Sequence, residues 1–128
     1  MTILAAKNLD TPDETRRFEH GEIGVVTVAG VTVGRAVFEP GWRWSTDVRP
    51  LAGTDSCQVG HTGYVISGRL CVRMDDGTEA VAGPGAVFVI SPGHDGWVMG
   101  DEPCVMLDWS GSTDYARPAI DASGRSLP

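Results

Sequence analysis

Gly63-Tyr64-Val65-Ile66-Ser67-Gly68-Arg69 and, further on, Gly83-Pro84-Gly85-Ala86-Val87-Phe88-Val89-Ile90-Ser91-Pro92-Gly93-His94 are the two stretches whose reading decides the fold. Each is a short aromatic and β-branched run that ends in a glycine turn, the pattern of a strand with tight connections. Ser67-Gly68 turns the first run into a return strand over residues 69–74. Between the two stretches, Asp75-Asp76-Gly77-Thr78 predicts a hairpin, because Asp-Gly tolerates the positive φ of the favoured turns.

The same grammar extends in both directions. Residues 25–28 and 31–38 read as strands broken at Gly30, and Glu39-Pro40-Gly41 turns the chain. Trp42-Arg43-Trp44 alternates, which puts both indoles on one face. Downstream, short strands are expected near residues 79–81, 86–90, 96–99 and 104–109. Residues 45–60 show no period and contain Pro50, Gly53 and Gly60, so a long functional or packed loop is expected there. No amphipathic helix of useful length and no internal repeat stands out. Nine or ten short strands at close spacing predict an all-β sandwich or barrel. The expected core includes Val33, Phe38, Tyr64, Ile66, Val72, Phe88, Ile90, Val105 and Leu107.

Length and charge narrow the class. With 128 residues the chain is one domain able to bury a core of its own. We divide it into an arm over residues 1–23, a barrel over 24–110 and a loosely held tail over 111–128. A net charge of −7 argues against nucleic acid and anionic membranes as partners. The first ten residues lack a signal-peptide pattern, and no apolar run reaches membrane-spanning length. Cys57, Cys71 and Cys104 are odd in number and have no metal-knuckle spacing, which fits a reducing compartment. A cytoplasmic protein is expected.

Taken together, Pro40-Gly41, the loop after it and the two quoted stretches resemble the cupin superfamily over about residues 30–109. The resemblance implies a single-domain jelly-roll β-barrel whose lumen holds a metal, a small molecule or both, and it points to a homodimer. Metal-binding cupins carry two histidines one residue apart, a glutamate seven residues before the closing glycine, and a later histidine three residues past the Pro-Gly glycine. Aligned on Gly68 and Gly93, those positions fall on Asp55, Cys57, His61 and Gly96. Three are other residues able to bind metal, and the fourth has no donor; His94 stands two residues before it.

Read for their own chemistry, Cys57 and His61 form a Cys-x-x-x-His pair entering a strand, with Asp55 upstream and His94 on a facing loop. Thiolate with imidazole favours zinc over iron, and three protein ligands leave a position open for water or substrate. The plainer alternative makes Cys57 a small buried hydrophobe and both histidines hydrogen-bonded loop residues. The expected site is therefore Cys57, His61 and His94, with Asp55 as an extra or supporting ligand. Since His94 is two positions out of register, the loop after Pro92 is expected to bend differently to bring it inward. His20 reads as solvated, Cys104 as structural, and His94-Asp95 as neighbours that point apart. No serine-hydrolase, phosphate-loop or dinucleotide pattern is present. The function expected is metal or small-molecule binding in the lumen; the competing expectation is a metal-free ligand-binding or sensing module.

Overall fold

The computed structural model describes residues 1–116 and consists almost entirely of short antiparallel strands. In chain order these are β1 (Glu14–Phe18), β2 (Gly21–Val28) and β3 (Val31–Phe38). Two single-turn helices follow, α1 (Trp44–Asp47) and α2 (Arg49–Ala52). Then come β4 (His61–Ser67), β5 (Arg69–Met74), β6 (Glu79–Ala82), β7 (Val87–Ile90), β8 (His94–Met99) and β9 (Cys104–Asp108). One sheet has the order β1-β2-β3-β9-β4-β7 and the other β6-β5-β8. The two face each other as the jelly-roll barrel expected from the sequence, not fully closed at its edges.

The turns form where glycine chemistry demands them. Gly68 sits at φ 75°, and a Cβ there would strike the Pro103 carbonyl and the Cys104 backbone, so only glycine joins β4 to β5. Asp76 and Gly77 make the anticipated hairpin, with Gly77 at φ 91°. The segment expected as a loop holds α1 and α2; Pro50 lies in the first turn of α2 and Gly53, at φ 74°, ends it. Such single turns are too short to leave a hydrophobic period.

The sequence of residues 1–23 announces an arm and no strand. It instead carries β1, which pairs in register with β2 from Glu14↔Val25 to Phe18↔Gly21. Its sequence, Glu14-Thr15-Arg16-Arg17-Phe18, is too polar to announce a strand, and partnering with β2 supplies what propensity does not.

The core lies between the sheets, around Ile23, Ala36, Phe38, Trp42, Trp44 and Val65. Trp42 stacks on Phe38 at 4.0 Å between ring centroids. Of the expected core, Phe38, Val72 and Phe88 are buried, while Val33, Ile90, Val105 and Leu107 are only partly so. Tyr64 and Ile66 face outward, at 37% and 45% exposure. In β4 the inward residues are His61, Gly63 and Val65, and in β9 they are Cys104, Met106 and Asp108. Both strands thus present the face opposite to the one expected, the consequence of a one-residue shift in a two-residue period. No helix among the described residues is long and apolar enough to cross a membrane.

Candidate metal centre

Strand alternation brings His61 to the lumen at the start of β4, where it pairs with Ile90 of β7. Cys57 reaches the same place from the preceding segment through a two-residue antiparallel bridge to His94. In that bridge the Cys57 N–H donates to the His94 carbonyl at 2.7 Å and the Gly93 N–H to the Cys57 carbonyl at 2.7 Å. Paired residues in such a bridge project to the same side, so the backbone itself aims thiol and imidazole together.

His94 needs no special bend of the preceding loop. It opens β8, in which His94, Gly96 and Val98 all face inward. A displacement of two residues is one full strand period and keeps the face, which corrects the expectation of a rearranged loop. At the position left without a donor, a Cβ on Gly96 would lie in ordinary contact with Trp42 and Leu70. The Trp42 indole occupies the neighbouring space.

One donor atom each from Cys57, His61 and His94 lie within 4.8 Å of one another, and all three residues are buried. The Cys57 Sγ stands 3.7 Å from His61 Nε2, and the two imidazoles are 5.3 Å apart at 70°. A tetrahedral zinc requires donor separations of about 3.3–3.6 Å from its bond lengths, so closure by about 1 Å completes the site.

Hydrogen bonding already sets the histidines for ligation. His61 Nδ1–H donates to Asp108 Oδ2 at 2.5 Å, and His94 Nδ1–H donates to the Ser91 carbonyl at 2.8 Å. Both acceptors lack a proton to give, so each ring keeps its Nε2 lone pair for the cluster. Metal-binding histidines are commonly oriented in this way. Asp108 is itself buried. Burial pushes its carboxyl upward, but the His61 hydrogen bond and charge, with the Gly111 and Ser110 amides, outweigh this and hold it below the usual range. Burial pushes the Cys57 thiol up to about 11, and burial also lowers His94. Without a metal, the thiol stays protonated and its S–H faces the His61 lone pair.

Asp55 does not join this group. It is fully exposed and pairs with Arg49 at 2.9 Å, so the expected extra ligand is corrected to a surface ion pair. The supporting carboxylate is Asp108, which sequence reading missed. Its signal was present as a carboxylate in phase with Cys104 and Met106, but placing Val105 and Leu107 in the core turned it outward. Asp95 points away from its neighbour His94, towards Arg43 and the Ser45 N–H, as expected. His20 is not merely solvated: its Nδ1 lies 3.0 Å from the buried Asp47 carboxylate. Cys104 is fully buried in the core, and Cys71 lies outside the lumen against Glu79.

The first residues of the expected loose tail are part of the site. Asp108 Oδ1 accepts the Ser110 and Gly111 amides, and Ser112 Oγ donates to the Asp108 carbonyl. The buried Arg16 guanidinium donates to the Ser112 and Tyr115 carbonyls at 2.7 and 2.6 Å. These bonds lay Tyr115 over the lumen, edge-on to His61 at 5.3 Å. Residues 117–128 lie outside the described residues. His61 and His94 line the lumen itself, Cys57 lines an outer recess of about 120 Å³, and Trp44 and Tyr115 border both.

No family model and no curated protein matches the sequence. Solved structures do match in fold. A cupin-like protein from Thermotoga maritima is 21% identical, covers 73% of this chain and 70% of its own, and superposes with a TM-score of 0.51. The polyketide cyclase RemF from Streptomyces resistomycificus is 15% identical over 83% of this chain and 78% of its own, with a TM-score of 0.57. A protein of unknown function from Rhizobium leguminosarum is 18% identical over 84% and 98%, also at 0.57. The fold is cupin-like. At these identities the likeness concerns architecture, and function has to be argued from the site.

Proposed function

We propose that the barrel is a metal-binding domain in which Cys57, His61 and His94 hold one divalent ion, zinc in preference to iron. The observation that carries this reading is the convergence of three buried donors whose two imidazoles are both anchored through Nδ1. A thiolate and two neutral imidazoles suit zinc, and a three-residue set leaves a coordination position for water or a small ligand. An ion so placed would supply Lewis acidity at the wall between lumen and recess. The chain's own part is to orient the histidines through Asp108 and Ser91 and to exclude bulk water with Trp44 and Tyr115. Protein purified without added metal is expected to carry close to one zinc per chain, and Cys57→Ala to lose it while keeping its β-sheet spectrum.

A metal-free ligand-binding or sensing module is the second reading. It draws support from Gly96, which offers no donor at a position where the resemblance implies one, and from the apolar lumen. Absence of any transition metal in the purified protein would favour it. The homodimer is also a proposal. β7 is a sheet edge, and Val87 and Val89 are 70% and 79% exposed on it, beside outward Tyr64 and Ile66. A second copy of the chain would cover this apolar strip.

A further inference from the structure

Three buried polar atoms, on side chains that line the lumen, are not used by the metal reading. Trp42 Nε1, Trp44 Nε1 and Tyr115 Oη are fully buried, and none has a hydrogen-bond partner among the described residues. All three side chains line the same cavity. Of the other polar groups there, Asp108 accepts from His61, Ser110 and Gly111, His94 Nδ1 is tied to Ser91, and the two histidine Nε2 atoms are those assigned to the metal. The remaining wall is aliphatic and aromatic, with no lysine or arginine. Buried donors left unpaired are costly, and most native ones find a partner in protein, water or ligand. Two indole N–H groups only donate, and a phenol donates readily, so the missing partner is an acceptor.

We infer that the lumen binds a small carboxylate, held through its oxygens by Trp42 Nε1, Trp44 Nε1 and Tyr115 Oη. With both Nε2 atoms on the metal, an amine or ammonium would meet two indole donors and only the Tyr115 hydroxyl as an acceptor. The cavity encloses about 30 Å³, enough for about two waters, which limits the part that enters to the size of formate or acetate. One part of the argument rests on the proposed metal, which would supply the nearest positive charge to a carboxylate, offset by the Cys57 thiolate and by Asp108 behind His61. The recess bordered by Trp44 and Tyr115 gives the approach, and a longer acid would leave its tail there.

The four tryptophans make the test internal to one molecule. Trp42 and Trp44 carry the proposed donors; Trp109 is exposed, and Trp97 lies under the Arg43 guanidinium on the outside. In the nitrogen-15 spectrum of the full-length protein, with zinc content measured on the same sample, formate and acetate are added in turn, and methylammonium separately. The Trp42 and Trp44 indole signals are expected to move saturably with both acids and to ignore methylammonium, while Trp97 and Trp109 stay still. Trp42→Phe and Trp44→Phe are each expected to weaken acetate roughly fivefold, the worth of one hydrogen bond. Zinc-loaded protein whose Trp42 and Trp44 signals stay fixed, or move with methylammonium as with acetate, overturns the inference and leaves the metal reading intact. If the protein takes up no zinc, the metal reading fails separately; a saturable acetate shift at the two indoles then still upholds the carboxylate site, and its absence overturns it.

Discussion

The two oxygens of Asp108 act on different partners: Oδ2 fixes the His61 ring, and Oδ1 gathers the amides that start the strap carrying Tyr115. An asparagine keeps one acceptor but turns an NH2 towards His61, which favours the tautomer with its proton on Nε2. Asp108→Asn is therefore expected to weaken zinc about 10–100-fold in a chelator competition, with the fold retained. Cys104 gives a pH prediction. Burial pushes its thiol from an ordinary 9 to about 11, so the folded state favours the protonated form. A raised pKa stabilises below the unfolded value and loses that stabilisation as pH climbs towards the folded one. Stability is expected to fall by about 2–3 kcal/mol on this account between pH 9 and 11, and Cys104→Ala to flatten that part of the profile in denaturant titrations. Cys57, His61 and His94 were legible because their residue types bind metals whatever the backbone does. Asp108 was not, since a lone carboxylate at a strand end looks the same whether it faces water or the lumen.

Strand parity decides which residues form the site. Cys57 and His94 meet through backbone pairing, and His94 stays inward because it lies one full period from Gly96. The same rule exposes a conflict in the sequence reading: His61 in the lumen and Tyr64 and Ile66 in the core cannot share one strand face. Existence and turns of β4, β5 and β7 were readable from Gly68, Gly77 and Pro92-Gly93, whose chemistry is local. The faces of β4 and β9 were not, because Tyr64, Ile66, Val105 and Leu107 are as apolar as their inward neighbours, and only the opposing sheet chooses between them. In β9, Met106→Ala is expected to cost about 2–5 kcal/mol in chemical unfolding, and Leu107→Ala less than half as much. Equal costs would mean that the register described is wrong.

At the scale of the whole molecule, two sheets enclose an apolar lumen whose mouth is closed by the strap that Arg16 holds. The outer face is less finished. Exposed Val81, Val87 and Val89 border the open edges β6 and β7, where a second copy is proposed to dock. Sedimentation at micromolar concentration is expected to show a dimer, and Val89→Lys to shift it to monomer; a wild-type monomer removes the proposal. The central claim concerns the interior and is tested most directly by elemental analysis of wild-type and Cys57→Ala protein purified without added metal. The account predicts near one zinc per wild-type chain and almost none in the variant, both with the same β-sheet spectrum. A metal-free wild type, or a variant that retains its zinc in full, would contradict it.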